Sequence, residues 1–247
     1  MALMIFLPEM MPRSRNMWCG RSRRGRILPS IALILLAALI TLTCAGCDAL
    51  GVVASKAVGE NNVGPAYAGL KGQRVAIMVW ADEGLTVDHP SICADIAGSL
   101  EDKLQQGVDA KVDELKGTTF LDIGRVLRFQ EAHPESQSDS AEQIALRLPA
   151  SRLIYIEVQS LSLHPNDSVD LSRGDAVADV KVIEVAGGRA RGAYENDNIS
   201  SVYPPSAPPE GLPNLLDEQV YRKTVDALTT QLGKLFITHP ADNDHDF

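Results

Sequence analysis

The sequence predicts an α/β (α+β) fold with a mixed sheet of about five strands flanked by three or four helices. Three observations indicate this fold. Apolar runs rich in β-forming residues stand at Arg74–Trp80 and Arg152–Leu163, as expected of buried strands. Segments with apolar residues at helical spacing lie between and after these runs. Gly187-Gly188 separates two further strand-like segments, which is the pattern of a two-residue hairpin.

The first half of the predicted domain continues with helices after its opening strand. His89-Pro90-Ser91 begins a helix, because proline is well tolerated in the first turn. Gly107 stands where a C′ glycine would end this helix. Val108–Leu115 is a weaker strand candidate, and Asp122–Ala132 has the spacing of a helix that His133-Pro134 stops. The apolar stripe of the first helix consists of Ile92, Cys93, Ile96, Ala97, Leu100 and Leu104.

The second half combines a short helix, a hairpin and a long final helix. Asp139-Ser140-Ala141-Glu142 is a capping arrangement, in which an acid at the cap is answered by Glu three residues later. Asp175–Val185 and Arg189–Ile199 are the predicted arms of the hairpin. A proline-rich loop follows at Tyr203–Pro213, and Leu215–Phe236 carries apolar residues at helical spacing.

Residues 1–46 have the organisation of a secretory signal. The apolar run Ile31–Leu42 has about a dozen residues, fewer than the roughly 20 that span a bilayer. It ends in Ala45-Gly46-Cys47, which resembles the lipobox of bacterial lipoproteins. The resemblance implies cleavage after Gly46 and a diacylglyceryl group on Cys47. The run is preceded by a basic cluster, Arg21, Arg23, Arg24 and Arg26.

Acyl chains on Cys47 would make a firm membrane anchor. Each buried methylene contributes about 0.8 kcal/mol, and two or more chains hold a protein persistently. The sequence thus predicts attachment through lipid, palmitate included, on the non-cytoplasmic side of a membrane of the cell envelope. An uncleaved anchor and a soluble secreted protein are the alternatives.

The predicted mature chain has three parts. Residues 47–72 are rich in small side chains and are interpreted as the lipidated N-terminus and a tether, with a short helix near Val52–Val58. Residues 73–240 are long enough for a single globular domain. Residues 241–247 are interpreted as a flexible acidic tail.

The charge of the mature chain argues against nucleic acid as a partner. Residues 1–46 hold six arginines and one acid, and removing them from 23 basic and 32 acidic side chains leaves 17 and 31, a net charge near −14. Binding to phosphate backbones needs clustered Lys and Arg. Cys93 is the single cysteine of the predicted domain, so no disulfide framework is expected there.

Three stretches of the predicted domain carry a resemblance to known envelope proteins. They are Arg74–Trp80 with the helix through Leu100, the run Ala145–Ile156, and Ala178–Val185 with Gly187-Gly188. Their order is similar to the fold of the curli-export lipoprotein, of the lipoprotein activators of penicillin-binding proteins, and of the TolB amino-terminal domain. The resemblance implies a non-enzymatic role, since such proteins bind other envelope proteins or assemble into oligomers. The segment Tyr203–Pro213 departs from that pattern, and no functional residue is carried over.

The most distinctive sequence of the predicted domain is its proline-rich segment. Prolines favour extended polyproline II structure, which loses little entropy when it docks against a partner. The segment is therefore a candidate partner-binding arm, and the alternative is a stiff connector folded over its own sheet. The candidate residues are Tyr203, Pro204, Pro205, Pro208 and Pro209.

The loop after the first strand is a second candidate site. It contains Asp82, Glu83, Asp88 and His89. Ligands bind beyond the carboxyl ends of sheet strands, and carboxylates with imidazole can bind a divalent ion. The alternative is a capping aspartate in a solvated acidic loop.

No motif of enzymatic chemistry accompanies these candidates. The sequence lacks G-x-S-x-G, H-E-x-x-H, G-x-x-x-x-G-K and G-x-G-x-x-G. The pairs at His89, His133, His164 and His239, each followed by proline, are interpreted as element ends. No catalytic residue, metal site or cofactor is therefore nominated.

The leading hypothesis is a lipid-anchored envelope protein that acts as a non-enzymatic protein-binding or assembly module. Its expected partners are the membrane, through Cys47, and another envelope protein or a second copy of itself. The alternatives are a metal-dependent hydrolase that uses the Asp82–His89 loop, and a structural envelope lipoprotein.

Overall fold

A mixed five-stranded sheet is the centre of the computed structural model, which describes residues 62–165 and 170–241. The elements in chain order are β1 (Asn62–Val63), β2 (Arg74–Ala81), α1 (Glu83–Asp88), α2 (Ile92–Asp109), a 3-10 turn (Asp113–Leu115), β3 (Thr119–Phe120), α3 (Ile123–Ala132), a second 3-10 turn (Pro134–Ser138), α4 (Ala141–Arg147), β4 (Arg152–Ser162), β5 (Leu171–Ser172), β6 (Gly174–Ala186), β7 (Arg189–Tyr203), β8 (Leu212–Pro213), α5 (Asp217–Lys234) and β9 (His239–Pro240).

The order of strands in the sheet is β3-β2-β4-β6-β7. Strand β2 runs parallel to β3 and β4, whereas β6 is antiparallel to both β4 and β7. The β6–β7 hairpin turns at Gly187 and Gly188, which both have positive φ, as a two-residue primed turn requires. The predicted α/β (α+β) fold with its mixed sheet is confirmed.

Each face of the sheet is covered by two helices. Alternate residues of β2 point to opposite faces, because side chains of a strand have a period of two. Val75, Ile77 and Val79 join one core with apolar residues of α2 and α5. Ala76 and Met78 join the other core with residues of α3 and α4. The short helix α1 packs on α2 and is a fifth helix that the sequence pattern did not predict.

The last part of the predicted tether, residues 62–72, packs on the domain. Tyr67 and Leu70 belong to the core, with 8% and 0% of their surface exposed. The Tyr67 amide donates a hydrogen bond to the Leu235 carbonyl (2.9 Å), and β1 pairs with β9. Residues 62–72 therefore contribute two buried side chains to the core, which the small residues around them concealed in the sequence.

Two predictions about the end of α2 are wrong. Val108–Leu115 is not a strand, since α2 continues to Asp109 and the chain then forms the turn at Asp113–Leu115. Gly107 lies inside the last turn of α2 and not at the C′ position. A Cβ on Gly107 would lie 2.6 Å from Leu115 Cδ1, so this glycine permits close packing of the turn on the helix.

A capping box precedes α4, but the predicted pair of residues is wrong by one position. Ser140 is the N-cap, and its hydroxyl accepts a hydrogen bond from the Gln143 amide. The Gln143 side chain accepts one from the Ser140 amide at 2.9 Å, which completes the capping box. Asp139 precedes the box and Glu142 lies inside it, and neither side chain forms it.

The N-terminal predictions fall outside the described residues. These are the apolar run Ile31–Leu42, the lipidation residue Cys47 and the helix near Val52–Val58, together with residues 242–247 of the tail. In residues 62–165 and 170–241, no helix combines the length and the apolar character needed to cross a bilayer.

Candidate functional site

The proline-rich segment forms a surface loop with a closed base, which we call the proline loop (residues 204–211). The loop starts after Tyr203, the last residue of β7, which pairs with Gly174 of β6. It ends at Leu212, which pairs with Ser172 of β5. Since Ser172 and Gly174 are close in the chain, the two ends of the loop lie side by side. This is the arrangement of an Ω-loop, a compact class that is frequently functional.

The prolines of the loop do not form the predicted polyproline II arm. The Ala207 amide donates to the Pro204 carbonyl at 3.0 Å, and the Gly211 amide donates to the Pro208 carbonyl at 2.9 Å. Each bond closes a four-residue turn with proline, Pro205 or Pro209, in the second position, where its fixed φ is favoured. The local hydrogen bonds of two successive turns therefore replace the extended conformation.

Exposure divides the five candidate residues of this segment into two groups. Pro205 and Pro209 are exposed at the turns, whereas Tyr203, Pro204 and Pro208 are half-buried. The three half-buried residues belong to the support of the loop. Of the five, only Pro205 and Pro209 have exposed rings.

Gly211 fits the exit of the proline loop because no side chain can be accommodated there. Its φ is +89°, a region that L-residues rarely adopt. A Cβ at this position would lie 3.0 Å from Pro165 Cγ and 3.1 Å from the Ser172 carbonyl oxygen. The loop therefore returns to the domain in close contact with the end of the β4–β6 connection.

His164 lies at the base of the proline loop. Its Nδ1 is 3.0 Å from the Leu171 carbonyl oxygen, and its Nε2 is 3.2 Å from Oδ1 of Asp217 at the start of α5. The Leu171 contact and then the Asp217 contact raise the pKa of His164, outweighing the partial burial that would lower it. The ring thus joins residues from both sides of the loop.

The edge strand β7 leads into the loop but is a poorer docking surface. Its pairing with β6 shifts register twice, between Ala178 and Val180 and between Val182 and Ile183. Two of its charged side chains pair with β6: Glu195 lies 3.0 Å from Lys181, and Arg191 lies 2.5 Å from Glu184. Bulges and charges of this kind protect edge strands from pairing with another chain. The loop is therefore the better candidate interface.

A crevice of about 600 Å³ lies at the carboxyl end of β2. Trp80, Gln130 and Cys93 are among its lining residues. Trp80 Nε1 and Gln130 Oε1 are buried and have no hydrogen-bond partner among the described residues. Burial raises the pKa of the Cys93 thiol, which therefore stays neutral and is a weak nucleophile at neutral pH.

Two residues of the candidate Asp82–His89 loop make structural contacts. Asp82 caps α1 by accepting a hydrogen bond from the Leu85 amide at 2.8 Å. His89 stacks on Tyr221 of α5, with 4.8 Å between ring centroids. In the described part of the chain, no group of three or more His, Cys, Asp or Glu side chains could hold a metal ion. The capping alternative thus accounts for the best-defined of these residues.

A second charged network fixes the N-terminal segment at the start of β4, at the opposite end of that strand from His164. Arg152 Nε donates to the Tyr67 hydroxyl at 2.9 Å, and Arg152 Nη2 lies 3.4 Å from Glu184 Oε1. Burial alone would raise the pKa of Glu184, but the Tyr67 hydroxyl and the guanidinium groups of Arg152 and Arg191 outweigh it and lower that pKa. Glu184 is therefore a carboxylate throughout the neutral range.

Sequence comparison identifies no family for this chain: no protein-family model matches it, and the search of curated proteins gives no match. Among solved structures it is similar to lipoprotein GNA1162 from Neisseria meningitidis, with a TM-score of 0.38 and 10% identity over 64% of this chain and 96% of that one. It is also similar to a PelC dodecamer subunit from Paraburkholderia phytofirmans (TM-score 0.37, 12% identity, 72% and 97% covered) and to hypothetical protein CT253 from Chlamydia trachomatis (0.32, 13%, 52% and 71%). At these TM-scores the likenesses carry no argument about function.

Proposed function

We propose that this protein is a lipid-anchored module of the cell envelope that binds another protein through the proline loop. The observation that carries the proposal is the loop itself. It has a base closed by two strand pairs and a tip that exposes Pro205 and Pro209. Loops held by a rigid scaffold are the usual carriers of binding residues.

The proline loop is ordered before binding, so it would lose little conformational entropy at an interface. Each of its two turns is fixed by a hydrogen bond and by a proline with restricted φ. A segment that is ordered before it binds loses little conformational entropy on binding, so more of the contact energy appears as affinity. The order supplied by the two turns, and not polyproline II structure, thus favours docking through Pro205 and Pro209.

The lipid anchor is the second part of the proposal, and it rests on the sequence. Ala45-Gly46-Cys47 follows a short apolar run, as in bacterial lipoproteins. Acylation of Cys47 would hold the domain on the non-cytoplasmic side of a membrane. Mass spectrometry of the native protein is expected to find an N-terminal, acylated Cys47, and a bare thiol or a retained N-terminal segment would refute the anchor.

The interface can be tested by photocrosslinking in intact cells. A photoreactive residue at position 205 or 209 of the full chain is expected to give a discrete adduct with one protein partner. The same residue at Val87, which is 70% exposed on α1, is the matched control and is expected to give none. No adduct from the loop, or the same adducts from all three positions, would reject the loop as the interface and favour a structural envelope lipoprotein.

A further inference from the structure

Both ring nitrogens of His164, at the base of the proline loop, lie beside hydrogen-bond acceptors. Nδ1 of His164 meets a backbone carbonyl, and Nε2 meets a carboxylate. Both of these groups only accept hydrogen bonds. A neutral imidazole has one N–H donor, whereas an imidazolium has two. Both contacts can therefore be hydrogen bonds only when His164 is protonated.

The two acceptors belong to the two segments that enclose the loop. Leu171 pairs with Pro213 of β8, directly after the loop's exit. Asp217 is the first residue of α5, which follows β8 in the chain. A protonated His164 thus links the strand pair at the loop base to the next helix, and a neutral one can keep only one of these links.

Asp217 is the charged group that meets the His164 ring. The Asp217 side chain is 63% exposed and that of His164 is 29% exposed, so the ring remains accessible to protons. The charged side chains that flank the two acceptors in sequence are engaged elsewhere or face solvent: Arg173 pairs with Asp175 at 3.3 Å, Glu218 with Arg222 at 3.4 Å, and Asp170 is exposed.

We infer that His164 is a pH-dependent clamp, which closes the base of the proline loop when the imidazole is protonated and releases it when the imidazole is neutral. The sign follows from the contacts. Stability from the clamp is complete below the ordinary histidine pKa of about 6.5 and is lost as the pH rises through the higher pKa of the folded state. The clamp is a property of the fold. The consequence that the partner binds more tightly at mildly acidic pH rests on the proposed function.

Nitrogen NMR of the full-length, histidine-labelled protein in detergent micelles tests the clamp without a partner. His164 is expected to titrate above about pH 6.5 with both ring nitrogens protonated on the acidic side. Asp217→Asn removes the charge and is expected to lower the midpoint by about half a pH unit, as an exposed ion pair would. Glu135→Gln, which removes a carboxylate from another part of the surface, is the matched control and should leave the His164 midpoint unchanged.

The possible outcomes separate the clamp from the proposed function. A His164 midpoint at or below that of free histidine, or one that Asp217→Asn leaves unchanged, would overturn the clamp whatever the loop binds. If the titration follows the expectation and crosslinking from the loop fails, the clamp stands and the proposed interface is rejected. Backbone amide resonances that keep the wild-type dispersion in Asp217→Asn would show that the variant is folded.

Discussion

Two segments outside the central sheet are held by ionic contacts that differ in burial and in pH dependence. The N-terminal segment 62–72 is held by Arg152 and Glu184, whose side chains are 14% and 18% exposed. The base of the proline loop is held by His164 and Asp217, which are more exposed and include a group that titrates near neutrality. Arginine stays charged at all relevant pH values, so the contact of the N-terminal segment is permanent. Histidine can lose its charge near neutrality, so the contact at the loop base depends on pH.

The pH dependence of the two contacts follows from the direction of each pKa. The pKa of Glu184 is lowered, so its contribution is present above the ordinary carboxyl pKa of about 4.3 and is lost as the pH falls through the lower value of the folded state. The contribution of His164 is lost in the opposite direction, as the pH rises through its raised pKa. Of these two contacts, only the one at the loop base is expected to change in strength between about pH 5.5 and 8.

Breaking the permanent contact should have the largest effect. Arg152→Met removes the more buried of the two cations beside Glu184, and we expect a loss of about 3 kcal/mol in the free energy of unfolding. Urea denaturation at neutral pH measures the loss. Arg191→Met is the control, because Arg191 contacts the same carboxylate at 2.5 Å but is 75% exposed and should cost under about 1 kcal/mol. Equal losses for the two variants would contradict the assigned roles.

A change at the exit of the proline loop should have an intermediate effect. Gly211→Ala puts a Cβ against Pro165 and the Ser172 carbonyl at a positive φ, which we expect to cost about 2 kcal/mol. Gly64→Ala is the matched control, since a Cβ there meets no atom within 4 Å. If Gly211→Ala is as stable as Gly64→Ala in urea denaturation, the loop base is not closely packed.

Removing the titrating group should have the smallest effect, and only on one side of neutrality. His164→Gln is expected to cost under about 1 kcal/mol near pH 5.5 and close to nothing near pH 8. The difference in unfolding free energy between wild type and variant, measured at both pH values, gives the result. His133→Gln controls for the loss of any surface histidine. A loss of stability in His164→Gln that is the same at both pH values would contradict a pH-dependent contact at the loop base.

The sequence predicted most of the central fold because burial imposes a pattern on it. The runs in β2 and β4 and the stripe of α2 have the spacing of buried elements, and the Gly187-Gly188 turn has a composition that few other structures use. The pairs β1–β9 and β5–β8 were missed. Each strand has two residues, and its partner lies far away in sequence, so no local pattern marks it.

The conformation of the proline segment was not predicted from the sequence. The prolines marked residues 203–209 as distinctive. Their two turns are closed by the amides of Ala207 and Gly211, and the sequence does not show which carbonyl each amide binds. His164 was interpreted as the end of a strand. A histidine just after a strand was a usable signal, but its meeting with Asp217 depends on the tertiary fold.

Amide hydrogen exchange of both segments in one sample tests the comparison most directly. After correction for intrinsic rates, protection at Arg173 and Gly211, near the loop base, is expected to fall between about pH 5.5 and 8. Protection at Tyr67 and Gly72, whose amides bond to Leu235 and Lys116, is expected to stay constant. The same pH dependence at both pairs of amides, or none at either, would contradict the distinction between a permanent and a conditional contact.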